Sequence, residues 1–421
     1  MKQNKISTGV FLLLTISFLI SCSKNTELNN QDNKAALNNQ PVMNSRSLAV
    51  NDTAIATASV FASNIAFPRG LKFGPDGYLY VATAGFGGKD STTGQCVQVI
   101  PPVGPYKGGH TATIVKISSK GNVTTVAENL PSDINVPGFT SGVSDVEFIG
   151  DDLYALLVAG CSHGNSDYPS AVLKVNRHNG NWSVIADLST YLLNNKVAAP
   201  EEGDFEPDGT PYSLLFVHGN FYVVEPNHGE LIKVTTEGKV SRVLDFSAHF
   251  GHIVPTVEVF EHGNFFVGNL RTFPLVEGSS SIYKVTPSGD VAVFATGFTG
   301  VLGLAFDKKD RMYVLETSAG GGPTPGTGRV VRVNNDNSRD VIVDKLMFPT
   351  GMTFGPEGAL YISNTGFGPP TGEILKVILK DDDDHHDRGR GRDHHDRDHR
   401  DNDNHNYHNY DNHDNDHNHH D

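Results

Sequence analysis

The chain has 421 residues, 38% of them hydrophobic, with 44 glycines, 22 prolines, a single tryptophan and a formal net charge of −15. That length buries one large core or two ordinary ones, and the many turn formers with few long apolar runs fit short strands better than helices. The acidic balance argues against a nucleic-acid surface, which needs clustered Lys and Arg; because most of the negative charge falls in residues 381–421, charge does not fix the partner of the rest.

Residues 1–22 read as a lipoprotein signal peptide. Lys2 and Lys5 precede an apolar run from Val10 to Ile20 that is too short to span a bilayer as a mature helix. The run ends in Leu19, Ile20, Ser21 and Cys22, which resembles the bacterial lipobox, whose cysteine is diacylated and becomes the new N-terminus. The expectation is an exported protein, periplasmic or on the cell surface, whose partner at this end is the membrane through lipid on Cys22. Residues 23–57, rich in Asn, Gln, Ser and Ala without periodicity, read as a disordered tether.

Residues 58–379 repeat one unit six times. The first copy reads FPRGLKFGPDGYLYVATAGFG and the last FPTGMTFGPEGALYISNTGFG. Between them four weaker copies keep an aromatic on the second strand, giving the series Tyr80, Tyr154, Tyr222, Phe266, Tyr313 and Tyr361. Each is followed by a third strand of one type, such as ATIVKIS, ELIKVTT or EILKVIL, whose period-two alternation marks a half-buried strand. The pattern predicts an all-β fold, a six-bladed β-propeller of four-stranded antiparallel blades. The last unit lacks a fourth strand, and ASVFASNI before the first unit is the obvious donor, so an N-terminal strand closes the ring. The acidic residues of the GPDG and GPEG turns, Asp76 and Glu357, belong to hairpin chemistry rather than catalysis.

Loop lengths separate two faces. The first-to-second turns are short, whereas the second-to-third loops and interblade connections are long, and long loops on a rigid face are where binding is expected. Three residues past each aromatic stand Thr83, Leu157, Glu225, Asn269, Glu316 and Asn364, five of them polar. Such a ring at a channel mouth suits a polar ligand or a divalent cation such as calcium, with Glu225, Asn269, Glu316 and Asn364 as metal ligands. The alternative for the ring is that it only caps strand ends. Arg69, Asp145, Tyr212, Thr256 and Thr350, at the starts of first strands, are placed toward the same mouth, Arg69 and Asp145 either as ligand contacts or as a structural ion pair. His110, His163, His228, His249 and His252 fall in or beside loops, where solvated histidines are the default. No GxSxG elbow, HExxH or phosphate-cradling loop occurs. Cys96 and Cys161 lie in second-to-third loops of neighbouring units, and in an oxidising compartment they are expected to form a disulfide.

Residues 380–421 form an Asp/His/Asn-rich tail, DDDDHHDRGRGRDHHDRDHRD and onward, which cannot bury a core and reads as disordered. It is either a solubilising tail or a loose trap for a transition metal through imidazole and carboxylate groups.

The strings NIAFPRGLKFGPDGYLYVATAG, TGFTGVLGLAFD, RMYVLET and LMFPTGMTFGPEGALYISNTG resemble the ScyD/ScyE family of exported bacterial propellers and, more distantly, NHL-repeat and SMP-30/gluconolactonase-like propellers. The resemblance spans residues 58–379 and implies the fold. Gluconolactonase-like relatives hold a divalent metal at the channel mouth with oxygen ligands, but their full ligand set is not carried by this sequence. Three functional expectations follow. A monomeric, lipid-anchored propeller binds a polar small molecule, a glycan or a protein on its loop-rich face; a metal-dependent hydrolase or lactonase acts in the central channel; or the tail captures metal.

Overall fold

The computed structural model describes residues 56–334 and 336–380; the signal sequence with Cys22, the tether to residue 55 and the tail from residue 381 lie outside them. No helix among the described residues is long and apolar enough to cross a membrane.

The chain enters as β1 (Ala56–Ile65) and then runs through six blades. Blade 1 is β2 (Pro68–Phe73), β3 (Leu79–Thr83), β4 (Lys107–Ile117) and β5 (Val123–Ile134), to which the two-residue β6 (Thr140–Ser141) adds a short fifth strand. Blade 2 is β7 (Val143–Ile149), β8 (Asp152–Leu157), β9 (Ala171–Val175) and β10 (Trp182–Asp187). Blade 3 is β11 (Ser213–Val217), β12 (Asn220–Glu225), β13 (Glu230–Thr235) and β14 (Val240–Asp245). Blade 4 is β15 (Pro255–Glu261), β16 (Asn264–Asn269), β17 (Ser280–Val285) and β18 (Val291–Phe298). Blade 5 is β19 (Val301–Phe306), β20 (Met312–Glu316), β21 (Gly328–Val333) and β22 (Arg339–Leu346). Blade 6 is β23 (Gly351–Phe354), β24 (Leu360–Asn364) and β25 (Gly372–Leu379), completed by β1. Two short helices, α1 (Leu188–Asn194) and α2 (Ser247–Phe250), decorate blade ends.

β1 pairs antiparallel with β25 from Ala56 opposite Leu379 to Ile65 opposite Gly372, with Val60 opposite Leu375. The first strands then touch one another in order, β2 to β7, β11, β15, β19 and β23, and β23 returns to β2. The ring is closed, and β1 covers the edge that β25 would otherwise leave open.

Each repeated aromatic has one address. Tyr80, Tyr154, Tyr222, Phe266, Tyr313 and Tyr361 sit opposite a basic third-strand residue, respectively Lys116, Lys174, Lys233, Lys284, Arg332 and Lys376. In three blades the tyrosine hydroxyl donates to an acid of the preceding turn: Tyr80 to Asp76 at 2.8 Å, Tyr313 to Asp307 at 3.1 Å and Tyr361 to Glu357 at 2.5 Å. The turn carboxylates are therefore structural, and Gly77 (φ 76°) and Gly358 (φ 86°) supply the left-handed residue that closes each hairpin.

The core lies between blades. Phe265, Phe246 and Tyr283 fill one interface and Tyr313, Leu315 and Leu360 another, nearly all at zero exposure. Each such ring contributes roughly 1.5–3 kcal/mol by burial, so the blades act as wedges that hold the inner strands, and the side chains on them, in fixed positions around the axis.

Candidate functional site

The polar residues that end the second strands are buried and already partnered. Glu225 accepts from the backbone N–H groups of Thr210 (2.7 Å), Asn227 (3.1 Å) and His228 (2.6 Å). Asn269 donates to the Ile253 carbonyl and accepts from Ser281 N–H, both at 2.7 Å. Glu316 accepts from Thr299 N–H at 2.6 Å and from the Arg329 guanidinium at 2.5 Å. Asn364 accepts from Met347 N–H and donates to Glu373, while the Thr83 hydroxyl exchanges hydrogen bonds with Thr113; Leu157 is a core residue. These hydrogen bonds tie the strand ends to interblade loops, as for Glu225 and Thr210, or to the neighbouring third strand, as for Glu316 and Arg329. Glu225, Asn269, Glu316 and Asn364 thus each have hydrogen-bond partners of their own, and no metal-like grouping of His, Cys, Asp and Glu among the described residues contains Glu225 or Glu316.

At the starts of the first strands the residues alternate around the ring. In blades 2, 4 and 6 a small hydroxyl donates to the carbonyl that opens the next blade: Ser144 to Pro211 (2.8 Å), Thr256 to Val301 (2.5 Å) and Thr350 to Pro68 (2.7 Å). Blades 1, 3 and 5 carry Arg69, Tyr212 and Leu302 instead. Tyr212 of blade 3 reaches the opposite blade, its hydroxyl donating to the Thr350 carbonyl at 3.0 Å, and so bars the axis. Arg69 is buried, donates to the carbonyls of Thr140 (2.7 Å), Pro68 (3.2 Å) and Gly366, and lies under the Phe367 ring at 4.6 Å. Burial holds its guanidinium below the ordinary value. Arg69 and Asp145 form no ion pair. Asp145 instead accepts from Val146 and Leu214 N–H, each at 2.8 Å, and presses against Gly70, where a Cβ would come within 1.9 Å of its carboxylate.

Below Tyr212 an axial cavity of about 270 Å³ is lined by residues from all six first strands. Three carboxylates belong to it or border it. Asp145 is pushed up to about 7 by burial, against two backbone hydrogen bonds that favour its charge. Glu147 pairs with Lys72 at 2.8 Å. Glu258, 3% exposed, has no hydrogen-bond partner at normal geometry on either oxygen, although the Ser213 hydroxyl is close enough to favour its charged form. Burial pushes its carboxyl well above the ordinary range. Glu258 occupies the register position that holds Leu71, Val146, Leu214, Leu304 and Met352 in the other blades. Comparing the repeats column by column carries that signal in the sequence; the alternation of strand residues alone does not.

Above Tyr212 the long loops pack on one another. Cys96 and Cys161 are joined by a disulfide between the β3–β4 and β8–β9 loops. Against the expectation of solvated histidines, His163 and His228 are buried. His163 binds Asp133 through Nδ1 at 2.9 Å and the Gly209 carbonyl through Nε2 at 3.0 Å, with Glu206 at 3.9 Å. Burial alone lowers its affinity for a proton, but Asp133 and the neighbouring Glu206 and Asp208 outweigh it and raise it to about 9. The imidazolium is a structural cation under the loops, with the Tyr106 ring tilted against it at 4.9 Å and the Tyr106 hydroxyl donating to Glu206 at 2.5 Å. His228 stands beside Phe205 at 4.9 Å and contacts the Glu206 carbonyl. His110 and His249 are exposed and His252 is partly so.

The centre of this face is aromatic. Phe139, between blades 1 and 2, stacks on Phe273 of blade 4 with centroids 6.3 Å apart, and meets Phe367 of blade 6 edge-on at 5.6 Å. Blades 1 and 4 are opposite in the ring, so the contact lies over the axis. Phe139 remains 36% and Phe273 53% exposed, with Val136, Val276 and Phe86 exposed as well. Sequence reasoning had no signal for this cluster, because its members come from loops that meet only once the ring closes.

Among the described residues one trio has metal-like spacing, Glu261, His262 and Asp310, whose ligand atoms lie within 4.8 Å of one another. It sits on the short-turn face, half to fully exposed, away from both the cavity and the aromatic cluster.

No protein-family model matches the sequence, and none of the curated proteins matches it. Solved structures do. A Bacteroides thetaiotaomicron protein of unknown function shares 13% identity over 76% of each chain at a TM-score of 0.50. A gluconolactonase from Xanthomonas campestris shares 10% over 77% of this chain and 90% of its own at 0.48. Virginiamycin B lyase from Staphylococcus aureus shares 13% over 77% and 99% at 0.40. At these identities the likeness concerns the fold alone, a β-propeller.

Proposed function

We propose that this chain is an exported binding propeller of the ScyD/ScyE type, held at the membrane by lipid on Cys22, that engages a glycan or protein through the aromatic centre of its loop-rich face. The observation that carries this reading is the exposed Phe139–Phe273 stack over the axis. Exposed apolar rings clustered on a rigid surface are the usual form of a recognition patch, since burying them against a sugar face or a protein releases the water they order. The same face carries rigid neighbours: the Cys96–Cys161 disulfide and the buried His163–Asp133 pair fix the loops of blades 1 and 2. A lactonase-like reading with Glu225, Asn269, Glu316 and Asn364 as ligands finds no support, because their polar atoms are occupied.

The reading is tested in cells with a photocrosslinking amino acid placed at Phe273 or, on the opposite face, at His262. Adducts from Phe273 that vanish with Phe139→Ala are expected, and adducts only from His262 overturn it. Anchoring is tested separately: a palmitate analogue is expected to label the wild type and not Cys22→Ala, and labelling of both contradicts the lipid anchor.

A further inference from the structure

We propose that the axial cavity is a binding site for a small organic cation, an amine of a few heavy atoms, with the Glu258 carboxylate as its anchor. This site is distinct from the aromatic loop face and does not rest on that reading.

Five blades place an apolar residue at the Glu258 position, and each packs toward the preceding blade. Blade 4 places a carboxylate there, 97% removed from solvent and with neither oxygen hydrogen-bonded. A buried, unpaired carboxylate is among the costliest groups a fold carries; it is relieved by a proton or by a bound cation. The charged groups facing it add to that demand, and none of them supplies the cation. Asp145 and Glu147 both act on Glu258 electrostatically and disfavour further negative charge, while the single lysine bordering the cavity, Lys72, is engaged by Glu147.

The geometry selects an amine over a bare metal ion. A metal needs several oxygens within 2.0–2.6 Å of one point. The oxygens of Asp145, Glu147 and Glu258 do not converge in that way, the only such trio among the described residues being Glu261, His262 and Asp310. Asp145 already accepts two backbone N–H groups, and Glu147 accepts Phe148 N–H and Lys72. One free carboxylate matches one charge-assisted N–H donor. The cavity's other walls, including Leu214, Val257, Leu304 and Met352, suit the carbon part of the ligand, and about 270 Å³ lies at the lower end of small-molecule sites. Because burial holds a proton on Glu258 when the site is empty, an amine enters as a proton leaves, and binding strengthens as pH rises.

The test is thermal unfolding of the full chain with millimolar ethylammonium, putrescine, choline or guanidinium chloride, against sodium and calcium chloride, at pH 6, 7 and 8. At least one organic cation is expected to raise the wild-type Tm by several degrees, more at pH 8 than at pH 6. Glu258→Leu and Glu258→Gln, made in parallel in case one folds poorly, are expected to lose at least tenfold in that cation's affinity. Three results overturn the proposal: no organic cation shifts the wild type, the variants respond like the wild type, or calcium alone gives a Glu258-dependent shift.

Discussion

Two kinds of acidic side chain stand on the first and second strands of the blades, and they differ in what they touch. On the second strands, Glu225 and Glu316 are fully buried and every oxygen has a donor from the same blade or from the connection that leads into it. On the first strands, Glu258 is equally buried and has none. Burial alone therefore does not distinguish a structural carboxylate from one that waits for a ligand; the census of donors does. The first set holds loops, and the second charges a cavity.

The largest break in that contrast is expected from Glu225→Leu, which strands the N–H groups of Thr210, Asn227 and His228 in the interior; at 1–3 kcal/mol for each unsatisfied donor the loss is about 4 kcal/mol, read by urea unfolding. Replacing both Cys96 and Cys161 by serine frees a 65-residue closure on the same loop side and is expected to cost about 3 kcal/mol by the same measurement. Glu258→Leu is expected to run the other way. An unfolded glutamate ionises near 4.5, whereas the folded Glu258 keeps its proton to well above that, so the native state binds more protons between the two values and wild-type stability falls as pH rises through that window. The leucine variant escapes this fall: it shows no advantage at pH 4 and a gain that grows as pH rises toward 8. Asp145, pushed from 3.8 to about 7, adds a decline of the same sign between pH 4 and 7 in both proteins. The smallest effect on stability, under about 1 kcal/mol, is expected from Phe139→Ala with Phe273→Ala, since both rings are substantially exposed; their loss is to be read in crosslinking instead.

The fold is legible in the sequence because its marker is a bonded unit. Turn acid, second-strand tyrosine and third-strand lysine recur together, as in Glu357, Tyr361 and Lys376, since each contacts the next, and the missing fourth strand points to its donor at β1. The site is less legible for equally physical reasons. Spacing locates Glu225 and Asn269 at strand ends, but whether their atoms are free depends on loops whose path no local pattern encodes. Long loops suggest solvated histidines, yet the loop holding His163 folds inward to satisfy Asp133. Phe139 and Phe273 are 134 positions apart and become neighbours only through closure of the ring. Glu258 stands between these cases: invisible to period-two alternation, it is plain once six copies are set in register.

The most direct test of the contrast is urea unfolding of the wild type, Glu225→Leu and Glu258→Leu at pH 4 and pH 8. The account predicts opposite signs at pH 8, with Glu225→Leu much less stable than the wild type and Glu258→Leu more stable, the latter's advantage disappearing at pH 4. If Glu258→Leu is destabilised at pH 8 as Glu225→Leu is, Glu258 has a structural partner and the two sets of carboxylates are one.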